Sequence, residues 1–178
     1  MYRIGDLIHY GDTGVCRITE IKPLDISNSG DAKLYYILDP LFEDCGISTP
    51  VENNKIFMRP IISKVEAERL IAKIPFIHVE AFYSREMRQL SDHYKKSLNS
   101  HICEDLIELT MSIYAKKQEL GEQNRKIGSL DESVMKRAED LLFGELSAAL
   151  DIPKEKVPDY IASRVDAIKA VKKAEVQA

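Results

Sequence analysis

The chain has no tryptophan. Any surface that works by stacking must therefore use tyrosine or phenylalanine, with less ring area. Glycine and proline are sparse, 8 and 7 in 178 residues, which excludes collagen-like and low-complexity architectures. The three cysteines, Cys16, Cys45 and Cys103, are scattered and form no CxxC pair. Such a set builds no disulfide scaffold; it suits a reducing compartment, where thiols fill apolar space. No apolar run approaches the ~18 residues of a membrane span, and no basic start leads into an apolar stretch, so a cytoplasmic protein without a membrane partner is expected. Positive charge is not in excess either. The formal net charge is −4, whereas a chain that coats nucleic acid unaided is usually basic. Contact with DNA would need a local patch and the help of a larger partner.

Catalytic signatures are also missing. No glycine loop ends in Lys-Ser or Lys-Thr, and no GxSxG occurs. The four histidines, His9, His78, His93 and His101, form neither HxxxH nor HExxH. A metal set can be drawn from His101, Cys103, Glu104 and Glu108, but its spacing matches no zinc pattern. A helix-start histidine, a buried thiol and a solvated acidic face account for it. Neither an enzyme nor a cofactor or metal is expected.

What is present falls into two periods. Up to about Ile62 the signals are those of strands. Gly5-Asp6 precedes the run Leu7, Ile8, Tyr10, and Gly11-Asp12-Thr13-Gly14 turns it into Val15 to Ile21. That second run alternates, with Val15, Arg17 and Thr19 on one face and Cys16, Ile18 and Glu20 on the other. Pro23 and Ser27-Asn28-Ser29-Gly30-Asp31 mark a long turn. Lys33 to Leu38 reads as a central strand broken by Asp39-Pro40. Ile47 to Val51 carries Pro50 and reads as an edge strand. Asn53-Asn54 turns into a last strand, Lys55 to Met58. Short strands at this spacing predict an SH3/Tudor-like small β-barrel.

At Ser63 the period becomes helical. Ser63 with Glu66 is a capping box, Val65, Leu70 and Ile71 recur at helical spacing, and Pro75 stops the helix. Phe76 reads as a core staple beside Pro75. Further helices are predicted over 79–98 and 102–120, the latter with the stripe Ile102, Leu106, Leu109, Ile113. Residues 121–128 read as a loop, and Ser129 with Glu132 as a second capping box. A helix over 131–150 follows, with Val134, Ala138, Leu141, Leu142, Leu146 and Leu150 on one face, and a last helix starts near Asp159. The expected fold class is α+β: a small barrel over residues 1–62, then an all-α helical domain over 63–178.

Basic residues punctuate the helices: Arg85, Arg88, Lys95 and Lys96, then Lys116 and Lys117, Arg125 and Lys126, Lys136 and Arg137. On one surface they would face phosphates. Glu86, Asp92, Glu119, Glu122, Asp131 and Glu132 interleave with them, as on a solvated, charge-balanced surface. Phe82 and Tyr83 point apart on a helix, so one of the two is expected at the surface.

The layout resembles the CarD/CdnL family of bacterial RNA-polymerase-binding transcription regulators, whose N-terminal domain is shared with transcription-repair coupling factor. IGDLIHYGDTGVCRITEI resembles the family's opening pattern, and Leu34-Tyr35-Tyr36-Ile37-Leu38 its Tyr-rich strand. Thr49-Pro50-Val51-Glu52-Asn53 and Arg59-Pro60-Ile61 resemble a proline-containing strand end and the barrel exit. Asp105 to Leu109 with Lys116, and Met135 to Leu146, resemble the third and fourth helices.

The resemblance implies that the barrel, residues 1–62, docks on the RNA polymerase β subunit by β-augmentation, through Tyr35, Ile47, Ser48, Thr49 and Pro50. The family's basic residues on the polymerase-facing strands are missing near Leu24 and Ser48, so a more apolar contact is implied. It implies that the helical domain touches promoter DNA upstream of the bubble and modulates open-complex stability, with Arg85, Arg88, Lys95, Lys96 and Lys116 on phosphates. The family wedges a tryptophan into the minor groove; here either Tyr83 or Leu90 stands in that place. A monomeric, nucleoid-associated cytoplasmic regulator is the expectation. The competing one is an adaptor whose helical domain recruits another protein.

Overall fold

The computed structural model describes residues 1–25, 32–52 and 55–176, with side chains as far as residue 174. The turns expected at 27–31 and 53–54 lie outside the described residues. The chain divides into two units, Met1–Ile62 and Ser63–Ala178.

The first unit is one antiparallel sheet. β1 (Leu7–Tyr10), β2 (Gly14–Leu24), β3 (Lys33–Pro40), β4 (Ile47–Pro50) and β5 (Met58–Pro60) lie in the order β4-β3-β2-β1-β5. A single 3-10 turn, Gly11–Thr13, joins β1 to β2. Gly14 closes it at φ 86° and ψ −137°, a conformation that a side chain would strain. Gly5, at φ 94°, turns its N–H onto the Ile18 carbonyl (2.7 Å), and the Asp6 carbonyl accepts from the Ile18 N–H (3.0 Å). The two glycine turns therefore hold β2 from Gly14 to Ile18.

Thr19 is a β-bulge. Ile18 pairs with Leu38 and Glu20 with Ile37, and the Thr19 hydroxyl donates to the Ile37 carbonyl (3.2 Å). One extra residue reverses the alternation. The sequence period set Glu20 beside Cys16 and Ile18; instead Glu20 is exposed, and Ile21 packs on the core of Ile8, Tyr10, Cys16, Ile18, Tyr36 and Leu38.

Two prolines lie inside strands where turns were expected. Pro23 pairs with Leu34 and Pro40 with Cys16. β1 covers β2 only from Gly14 to Arg17, and β4 covers β3 only from Tyr35 to Leu38. Among the described residues each proline thus has a strand on one flank alone, which is where a missing N–H is tolerated. β5 begins at Met58 rather than Lys55, because its register follows β1: Tyr10 pairs with Met58 and Ile8 with Pro60. Among the described residues the strands of the expected barrel form a sheet that does not close. β4 and β5 are its two edges, and β5, only 3 residues long, is matched along its length to β1.

The second unit is helical: α1 (Lys64–Lys73), α2 (Met87–Leu98), α3 (Cys103–Glu122), α4 (Ser129–Leu150) and α5 (Val157–Val176). The first cap is as the sequence spells it. Ser63 Oγ accepts from the Glu66 N–H (3.2 Å), and Glu66 Oε2 accepts from the Ser63 N–H (2.8 Å). Ala67 and Ile71 form the buried face, whereas Val65 is exposed. Ser63→Ala is expected to cost the helical unit about 1 kcal/mol in a urea titration.

α4 starts at Ser129, capped by Gly128, whose N–H donates to Asp131 Oδ2 (3.1 Å). In place of the box expected of Ser129 and Glu132 stands a single bond one residue earlier, from the Gly128 backbone to an inward-facing acid, since glycine has no side chain to return the second. α2 starts at Met87, not near residue 79. In the preceding stretch the Glu80 carbonyl accepts from the Ser112 hydroxyl (2.6 Å), and Ser84 Oγ accepts from the Glu86 N–H (3.1 Å). These side-chain bonds to backbone compete with helix formation. α5 starts at Val157, after a 3-10 turn at Lys154–Lys156, with Val157 fully buried. The core holds Val134, Ala138, Leu141, Leu142, Leu146 and Leu150 of α4 with Leu106, Leu109 and Ile113 of α3. Ile102, expected on that stripe, is the exposed cap residue before α3. Among the described residues no helix is long and apolar enough to cross a membrane.

Candidate functional site

The first candidate surface is the β4 edge. Tyr36 pairs with Thr49 and Leu38 with Ile47, so Ile47 and Thr49 share the core face, with Thr49 buried. Ile37 pairs with Ser48 and Tyr35 with Pro50, which puts Tyr35, Ser48 and Pro50 on the other face. The Val51 N–H donates to the Leu34 carbonyl (2.9 Å). That bond makes Tyr35–Pro50 a non-hydrogen-bonded pair, and Ile37–Ser48 is another by alternation. The Ser48 N–H and C=O and the Pro50 C=O therefore point away from β3, the only strand beside β4 among the described residues. Pro50 has no N–H to offer, so a strand added here would take three backbone groups from β4. Of the five residues named for docking, three lie on the outer face and two on the core face. Beside this edge a cavity of about 630 Å³ is lined by Leu34, Tyr35, Pro50 and Val51 among others.

The second candidate surface is the outer face of α2. At 100° per residue, Arg88, Asp92, Lys95 and Lys96 share one side, and Leu90 and Tyr94 the opposite one. Arg88, Lys95 and Lys96 are exposed, as is Arg85 in the bend before the helix. Asp92 sits among them, its carboxylate 3.9 Å from Arg88 Nε. Leu90 is only 6% exposed. It is a core side chain facing away from the basic residues, and the wedge position assigned to it is corrected on that ground.

Tyr83 is 50% exposed and lies in the extended stretch, not on a helix. Its hydroxyl donates to Glu119 Oε2 (2.7 Å), and the Lys116 ammonium stands 5.3 Å from its ring centroid. Its neighbour Phe82 is half-buried and stacks on His93, with centroids 3.7 Å apart. Partial desolvation, then the charge of Lys96, lowers the His93 pKa. Phe76, expected in the core, is 47% exposed.

Lys116 is the second correction. It is only 6% exposed, and its ammonium donates to Asp131 Oδ1 at 2.9 Å. A lysine neutralised inside the unit presents no charge to a phosphate. Asp131 also accepts from the Tyr94 hydroxyl (2.6 Å) and the Gly128 N–H (3.1 Å). Burial pushes the Asp131 carboxyl up, but the bonds from Tyr94, Lys116 and Gly128, with the Lys116 charge, outweigh it and hold it below its ordinary value. One buried carboxylate thereby ties α2, α3 and α4 together beside Tyr83. A signal for this was in the sequence. Lys116 follows Ile113 by three residues and precedes Leu120 by four, so it lies on the buried stripe of α3. Among the described residues no group of three or more His, Cys, Asp or Glu could hold a metal ion.

Comparison with known proteins bears on the first unit. Residues 2–62 match the family model described as the CarD-like/TRCF RID domain. No curated protein matches the chain. The matched span ends where the first unit ends, so the likeness covers the sheet and its β4 edge, and not the helices.

Proposed function

From the match of residues 2–62 to the CarD-like/TRCF RID domain family model, we propose that the chain docks on RNA polymerase and regulates transcription initiation without catalysis. The open β4 edge of the matched domain carries this reading. Backbone groups of Ser48 and Pro50 face outward there, and Tyr35 flanks them, which suits a strand of the polymerase β subunit added to a Tudor-like sheet. The helical unit then contacts promoter DNA upstream of the bubble. Arg85, Arg88, Lys95 and Lys96 lie against phosphates, and Tyr83, in place of the buried Leu90, against a base step. The net charge of −4 makes the polymerase necessary to bring the DNA there. The protein acts as a monomer in the cytoplasm, at the nucleoid.

Open-complex lifetime tests the DNA half. Base–aromatic stacking is worth roughly 1–3 kcal/mol, so Tyr83→Ala is expected to shorten the lifetime about fivefold or more while polymerase affinity is unchanged. An unaltered lifetime with intact docking would transfer the helical unit to the second reading, an adaptor for another protein. The bond from the Tyr83 hydroxyl to Glu119, which places a carboxylate beside the wedge, favours that alternative.

A further inference from the structure

Between the end of α1 and the last half of α5 runs a groove that neither candidate surface includes. One lobe, about 500 Å³, is lined by Phe76, Arg164, Ala167, Ile168, Val171 and Lys172. A second, about 270 Å³, shares Phe76, Ile168 and Lys172 with it and adds Lys169 and Lys173 among others. The floor is apolar and open: Val171 is 60% exposed and Phe76 about half exposed. The rim is cationic. Arg164 is held by Glu68 at 3.2 Å, and Lys172 lies over the Phe76 ring at 4.4 Å. Among the described residues no carboxylate bridges Lys169, Lys172 or Lys173. Asp166, three residues before Lys169, is the nearest acid before them along the helix; it leaves on the side opposite Ile168, and no ion pair joins it to Lys169 among the described residues.

Three lysines at i, i+3 and i+4 repel one another, and their position near a helix C-terminus offsets only part of that cost. The repulsion is relieved when anions arrive between them. Phosphates alone fit poorly, because a phosphate seated against Phe76, Ile168 and Val171 would lose water without gaining a hydrogen-bond partner there. A helix with apolar residues on one face and carboxylates on its flanks satisfies both the floor and the rim. We propose that this groove docks an acidic amphipathic helix of a partner protein, seated on Phe76 and Val171 and paired with Lys169, Lys172 and Lys173.

The test uses the full chain and no polymerase, so its outcome is separate from that of the docking reading. The probe is a synthetic helical peptide with Leu and Phe on one face and Glu on the other. An all-Glu peptide of equal charge and a short DNA duplex are compared with it. NMR shift changes on titration are expected to centre on Phe76, Ile168 and Val171 with the amphipathic peptide. Phe76→Ser and Lys172→Glu, both at exposed positions, are each expected to weaken binding about tenfold. Absence of binding, or shifts centred elsewhere, would overturn the proposal. So would equal or tighter binding of the duplex or the all-Glu peptide at this groove, which would make it a general polyanion surface. The mapping on the unaltered chain decides even where a variant fails to fold.

Discussion

Replacing Asp131 with alanine is expected to destabilise the helical unit by about 3–5 kcal/mol, the usual cost of leaving a buried charge without its partner. Asp131 and Lys116 are almost wholly buried, and their atoms meet at 2.9 Å. Loss of the carboxylate strands the Lys116 ammonium inside the unit and leaves the Tyr94 hydroxyl and the Gly128 N–H without their acceptor. Lys116→Met should be comparably harmful, because it strands the carboxylate instead. The pair Asp131→Asn with Lys116→Met should recover much of the loss, since neither charge then remains. Urea titration followed by circular dichroism measures all three. A loss under about 1 kcal/mol for Asp131→Ala would mean that water reaches the site and solvates the orphaned lysine.

The same network sets an acid limb. The Asp131 carboxyl is held below its ordinary value in the folded protein, so its contribution is complete above its unfolded pKa near ~3.9 and is lost as pH falls through the lower, folded value. The partner titrates out of the way, because burial, then the bond to Asp131, raises the Tyr94 pKa and keeps its hydroxyl a donor at neutral pH. Asp131→Asn should flatten that limb. Because Lys116 also faces the Tyr83 ring, variants of this pair should disturb Tyr83 as well.

Ser48→Pro in the full chain is expected to weaken binding to the RNA polymerase β subunit by more than about tenfold while leaving the sheet intact. Register assigns the Ser48 N–H to the outer side of β4, so proline removes no bond to β3. It removes the one N–H among the outward groups of Ser48 and Pro50. Loss of one well-formed backbone bond at an interface, with clash from the ring, exceeds the 1.4 kcal/mol that a tenfold change needs. Affinity of the variant for the isolated β subunit, beside its unfolding midpoint, checks both halves. Unchanged affinity would remove the β4 edge from the docking surface.

Much of the fold could be read from short-range chemistry. Gly14 and Gly5 both take positive φ, and the hairpin that they bracket follows from that. Ser63 and Glu66 lie three residues apart and close their box within a single turn, which needs no tertiary partner. The burial of Leu106, Leu109 and Ile113 likewise follows from spacing along one helix. Errors collect where the deciding neighbour is distant in sequence. Thr19 reads as one more step of an alternating strand; its bulge comes from β3 and from the Gly5-Asp6 turn closing on Ile18. Pro23 and Pro40 read as breakers because local propensity cannot show which strand flanks are paired.

The candidate surfaces divide in the same way. The sequence by itself determined an edge strand through Pro50, a change from strand to helix at Ser63, and the placing of Arg88, Lys95 and Lys96 along one helix, since each depends on residues within a turn or a strand of one another. Only the tertiary structure decided which charges and apolar groups are available. It turned Lys116 inward onto Asp131, placed Leu90 in the core, left Phe76 and Val171 exposed, and, among the described residues, left the sheet unclosed. The physical reason is that burial is set by what packs across from a residue. Asp131 lies 15 positions from Lys116 and 37 from Tyr94, a separation that no local period encodes.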